Sequence, residues 1–172
     1  MKPTIDALCE FIDSLPPESS FFELLKCNPK EEAVFRALGI VEHFDLIQQP
    51  QCGAGLFGYA TSNGVTADFS YREMPALLIE AKFIRCREVG AAQNTEYDLK
   101  NGLAQIIEQA TVSGKQEAIL IVIDAGRARK RPLNTRERVY ISMFKNNPFK
   151  VTLTIIRARV DEAGKRITCE LI

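Results

Sequence analysis

The run "AILIVI", residues 118–123, constrains the fold more than any other stretch of this chain. Six apolar residues fall far short of the ~20 needed to cross a bilayer. Four of the six are β-branched, which suits a fully buried strand, and "EAILIVIDAG" is read as one. Ahead of it, "TEYDLKNGLAQIIEQATVSGK" repeats Leu99, Leu103, Ile106 and Ala110 at helical spacing, with Gly114 near the stop. Ahead of that lies "ALLIEAKFI", another strand. Strand, helix and buried strand in that order predict a parallel crossover of right-handed sense. The class that follows is α/β, with a mixed β-sheet flanked by helices.

The rest of the pattern fits around this unit. "TIDALCEFIDSL" sets Ile5, Leu8, Phe11 and Ile12 on one helical side. "FFELLK" follows behind capping serines. "NPKEEAVFRALGI" offers Asn28 as N-cap, Pro29 in the first turn and Gly39 as the stop. "FDLIQQ" is strand-like, and "QCGAGLFGYATSNG" reads as a loop with a short strand at "LFGYA". "VTADFSY" reads as one strand, paired through a "REMP" turn with "ALLIEAKFI" in an antiparallel hairpin. "NTRERVYISMFKN" is a helix, and "KVTLTIIRARV" and "RITCELI" are closing strands. At 172 residues a single domain is expected. It divides into N-terminal helices (1–40), a core (43–125), and a basic helix with closing strands (126–172).

Several function classes lose ground on composition. Acidic residues Asp6, Glu10 and Asp13 interrupt the N-terminal stretch where a signal peptide would be apolar. The five cysteines show no CxxC pair, which points to reduced thiols and a cytoplasmic protein. The lone histidine, His43, has no second ligand at zinc spacing. Net charge is zero, but residues 1–80 carry 5 Lys/Arg against 12 Asp/Glu, while residues 81–172 carry 17 against 10. "RARKRPLNTRER", residues 127–138, holds six basic residues and one acidic. Such a patch is either a polyanion site or a solvated loop and helix face.

Alternation along "ALLIEAKF" puts Leu77, Ile79, Ala81 and Phe83 on one face and Ala76, Leu78, Glu80 and Lys82 on the other. Glu80 and Lys82 are then neighbours roughly 7 Å apart along the strand. If the hairpin pairs near its turn, Asp68 approaches Glu80. Two carboxylates brought together repel, and a divalent cation relieves that repulsion. Hard oxygen ligands suit Mg²⁺ or Mn²⁺. Lys82 can then orient an attacking water or neutralise charge growing on a phosphorus. The same spacing also describes a hairpin whose Glu and Lys face solvent and pair weakly.

Asp68, eleven residues, then Glu80-Ala81-Lys82 at the end of an apolar strand resembles the PD-(D/E)xK nuclease superfamily. The resemblance covers about residues 29–125 and departs at the head, where "TAD" replaces Pro-Asp. It implies a restriction-endonuclease-like core and a metal-dependent nuclease, most readily a DNA endonuclease, with RNA as the other polyanion. It implies Asp68, Glu80 and Lys82 as catalytic residues, and Asp68, Glu80 and Ala81 as metal-binding positions. Many members carry a QxxxY pattern in the crossover helix, which here gives Gln105, with Gln109 where the Tyr would be. Many also bring a Glu from an N-terminal helix to the metal. Glu31, on the face of Val34, Phe35 and Leu38, fits better than Glu32. Arg127, Arg129, Lys130 and Arg131 directly follow the buried strand and are expected to contact phosphates. Cutting both strands of a duplex usually needs two sites, so a homodimer is expected. A non-catalytic module of the same fold, binding nucleic acid or a partner protein, is the alternative.

Overall fold

The computed structural model describes residues 4–27, 29, 31–48, 51–53, 65–66, 69–71, 74–84, 94–126 and 132–172. Helices α1 (Ile5–Asp13), α2 (Ser20–Leu25), α3 (Glu31–Leu38) and α4 (Ile40–Phe44) come first, then strands β1 (Leu46–Gln48) and β2 (Gln51–Gly53). Strands β3 (Val65–Thr66), β4 (Phe69–Tyr71) and β5 (Met74–Ile84) follow. Helix α5 (Asn94–Val112) leads to β6 (Glu117–Asp124), and α6 (Thr135–Lys145) to β7 (Thr152–Val160) and β8 (Ile167–Leu171).

Local chemistry marks the helix ends. Thr4 caps α1 by accepting from the Ala7 amide at 3.2 Å, and Ser19 caps α2 through the Phe21 amide. Gly39 stops α3 in the left-handed region at φ 79°, where a side chain would be strained. The chain then turns into α4, a helix the sequence pattern does not announce. Asn28, the expected cap of α3, lies outside the described residues.

Six strands form one mixed sheet in the order β1-β4-β5-β6-β7-β8. β5, β6 and β7 are parallel, while β1, β4 and β8 pair antiparallel to their neighbours. The parallel joins need crossovers, and α5 and α6 supply them. Alternation along β5 divides its side chains as expected. Leu77, Ile79, Ala81 and Phe83 pack with Leu8, Ile12, Val34, Leu38 and Phe44 of the N-terminal helices. Leu78 and Ile84 pack with Leu103, Ile106 and Ile107 of α5 and Ile141 of α6. The sheet thus lies between two helical layers, and β6, covered on both faces, is buried from Ala118 to Asp124. No helix among the described residues is long and apolar enough to cross a membrane.

Two strand expectations change. "VTADFSY" serves two sheets: β4 joins the main sheet, while β3 pairs with β2 in a separate two-stranded one. Met74 and Pro75, read as part of the turn, already belong to β5. "LFGYA" lies outside the described residues.

Candidate active site

Glu80 and Lys82 lie on the face of β5 that α5 covers. Two residues apart on a strand, they project the same way. The structure closes them into an ion pair, with Lys82 Nζ 3.1 Å from Glu80 Oε1. The pair is largely withdrawn from water. Glu80 is 2% exposed and the Lys82 side chain 14%. On the other carboxylate oxygen, Gln109 of α5 donates from Nε2 to Glu80 Oε2 at 3.0 Å, and Gln109 is itself buried. The ammonium and the amide thus take the place of the water that burial removes from this carboxylate.

Helix α5 comes unusually close at Gly102. A Cβ placed there would lie 2.7 Å from Lys82 Cγ and 3.2 Å from Leu120 Cδ1. Glycine inside a helix costs about 1 kcal/mol relative to alanine. Its position opposite the lysine stem gives that cost a packing reason.

The remaining expected residues are distributed as follows. Ala81 points to the opposite face, into the core beneath the N-terminal helices. Gln105 is half-buried on α5 and makes no side-chain hydrogen bond among the described residues. Glu31 opens α3, which packs on the face of the sheet away from Glu80 and Lys82. The Glu31 side chain, Asp68, Arg127, Arg129, Lys130 and Arg131 lie outside the described residues. The ladder between β4 and β5 pairs Phe69 with Ile79 and Ser70 with Leu78. In sequence, Asp68 precedes Phe69 and Glu80 follows Ile79.

Among the described residues no three His, Cys, Asp or Glu side chains stand together as a metal-holding group. At the described pair both Glu80 oxygens are engaged, Oε1 by Lys82 and Oε2 by Gln109. Glu80 supplies carboxylate oxygens in a shielded setting, the ligand type that Mg²⁺ and Mn²⁺ prefer.

Two features escape the sequence reading. Gln109 rather than Gln105 bonds to Glu80, and Gly102 seats Lys82. A glycine in the middle of an otherwise well-patterned helix was the available signal for the second. A further buried charge cluster lies on the same face at the carboxyl ends of the parallel strands. Arg157 donates from Nε and Nη2 to Asp124 Oδ2 at 3.0 and 2.7 Å, and from Nη1 to Glu170 Oε1 at 3.1 Å. The Gly126 amide donates to Asp124 Oδ1 at 3.0 Å. This cluster ties β6, β7 and β8 together. The thiols of Cys9 and Cys169 are removed from the site, and burial pushes both above the ordinary thiol range.

No protein-family model, curated protein or solved structure matches this chain.

Proposed function

We propose that this chain is a metal-dependent nuclease of the PD-(D/E)xK type with a restriction-endonuclease-like core, hydrolysing phosphodiester bonds in DNA. The observation that carries the reading is the buried Glu80–Lys82 pair, 3.1 Å apart on the second strand of an antiparallel hairpin. A crossover helix and a buried parallel strand follow that hairpin. An acid and a base in contact on an otherwise apolar strand need a reason beyond packing, since a well-packed apolar pair would serve stability as well. Asp68, which precedes β4 in sequence, is the second carboxylate of this reading.

In this reading Asp68, Glu80 and Ala81 hold Mg²⁺ or Mn²⁺, and Glu31, whose helix packs on the other face of the sheet, is left outside the set. A bound cation of this kind supplies Lewis-acid polarisation of the phosphoryl oxygen and an acidified water. Lys82, held by Glu80, directs its ammonium at the attacking water or the developing phosphorane charge. Gln105 keeps the substrate role alone, since Gln109 is the glutamine bonded to the pair. Arg127, Arg129, Lys130 and Arg131 neutralise phosphates along the duplex, and two chains act as a homodimer on its two strands.

The test is cleavage of plasmid and oligonucleotide DNA with Mg²⁺ or Mn²⁺ by wild type, Asp68→Ala and Lys82→Ala. Each variant should lose about 100-fold or more in rate. Equal activity in all three would remove the site assignment.

One observation favours a second reading. Glu80 is nearly inaccessible and already bonded from two sides, as in a purely structural ion pair. A non-catalytic module binding nucleic acid or a protein would then give salt-sensitive DNA binding with no metal-dependent cleavage.

A further inference from the structure

We infer that Gly102 is a positioning residue for the candidate site: the side chain missing from this turn of α5 is the space that Lys82 occupies, and that space sets where the lysine carries its ammonium. The inference rests on the nuclease reading for its catalytic meaning, though not for its geometry.

The contact concerns the root of the lysine and not its tip. A Cβ on Gly102 would lie 2.7 Å from Lys82 Cγ, closer than real Cβ contacts come. Cγ is placed by χ1 alone, so no swing of the distal chain relieves the clash, and the stem must change rotamer. Leu120 differs. Its nearest methyl would lie at 3.2 Å, which a shift of a few tenths of an ångström accommodates. The pressure therefore falls on Lys82. Along its own face Lys82 is flanked by Glu80 and Ile84, and Val122 is its register partner on β6. All three are buried, so a changed χ1 sends the ammonium away from the 3.1 Å contact with Glu80 Oε1.

The carboxylate does not follow. Seven residues along α5, about two turns on the same side of the helix, Gln109 holds Glu80 Oε2 at 3.0 Å. One helix thus fixes the pair from two points. It leaves room for the lysine stem at Gly102 and donates to the carboxylate at Gln109. A methyl group at the first point separates base from acid while leaving the acid in place.

The experiment uses the full chain as wild type, Gly102→Ala, Lys82→Ala and the double variant. Thermal unfolding is measured for all four, with NMR of ¹⁵N-labelled lysine Nζ groups. Gly102→Ala should lower Tm in the wild-type background. In Lys82→Ala, where Cγ is gone, the same change should leave Tm unchanged or raise it. The Lys82 Nζ signal, protected in the wild type by its ion pair, should shift or vanish in Gly102→Ala. In DNA cleavage with Mg²⁺, kcat should fall by about 100-fold with KM within about twofold.

A Gly102→Ala protein as stable as wild type, an equal Tm loss in both backgrounds, or an unmoved Lys82 Nζ signal would overturn the inference. So would an unchanged kcat in an active enzyme. If Lys82→Ala does not fold, the Nζ signal of Gly102→Ala decides. A wild type without cleavage would remove the nuclease reading, while the Tm comparison and the Nζ signal still judge the geometry.

Discussion

A carboxylate that is 2% exposed has given up nearly all of its hydration, and Glu80 recovers it from donors on two different elements. Gln109→Leu keeps bulk on α5 and deletes one donor. The expected loss is about 1.5–3 kcal/mol, the range for a hydrogen bond to a charged group. It should read as a lower urea midpoint with unchanged slope. Gln105→Leu, which breaks no side-chain hydrogen bond among the described residues, should stay within about 0.5 kcal/mol of wild type. Equal stability of the two variants would mean that the Gln109 contact does not hold Glu80. The two glutamines also mark where the sequence stops being legible. Four residues apart, they lie on one stripe of the helix, so its periodicity cannot tell which turn meets Glu80. That depends on the offset of α5 along β5, which packing across the whole sheet decides. Gly102 went unread, and the lysine it accommodates could not be told from helical spacing.

Elements with a strong period were the readable ones. α1, α5, β6 and the division of β5 between its faces follow from apolar spacing alone. "VTADFSY" was less transparent, since alternation assigns side chains to faces and says nothing about which neighbour a strand pairs with. The entry into α6 shows how local chemistry adds to periodicity. Asn134 Oδ1 accepts from the Glu137 amide at 2.9 Å, and Glu137 returns a bond to the Asn134 amide at 2.7 Å. This reciprocal box satisfies two amides that a helix start leaves unmet. Asn134 also donates to Glu96 of α5 at 2.6 Å, so one side chain links both crossover helices. Asn134→Ala removes cap and link together. It should cost at least the ~1 kcal/mol of an ordinary cap, whereas Thr135→Ala, one position on and exposed, should be nearly neutral. Chemical denaturation of the two variants checks this. A neutral Asn134→Ala would mean that α6 is held by packing alone.

Across the whole molecule, charge and architecture run in parallel. The acidic surplus belongs to residues 1–80 and the basic surplus to residues 81–172. The three parallel strands point their carboxyl ends the same way, with Ile84 of β5 in register with Asp124 of β6. Lys82 stands two residues before that end. The chain leaves β6 there through Ala125 and Gly126, and the next five residues in sequence include Arg127, Arg129, Lys130 and Arg131. If these four contact phosphates, each releases about one condensed counterion on binding. Replacing all four with Gln should then lower the slope of log K against log[salt] by about 3 to 4 in magnitude, for a short duplex without metal. Affinity should weaken alike for unrelated duplex sequences, because phosphate contacts carry no base information. An unchanged slope would move the polyanion surface elsewhere on the chain. A reduced slope in a protein that never cleaves would keep the surface and favour the binding module over the nuclease.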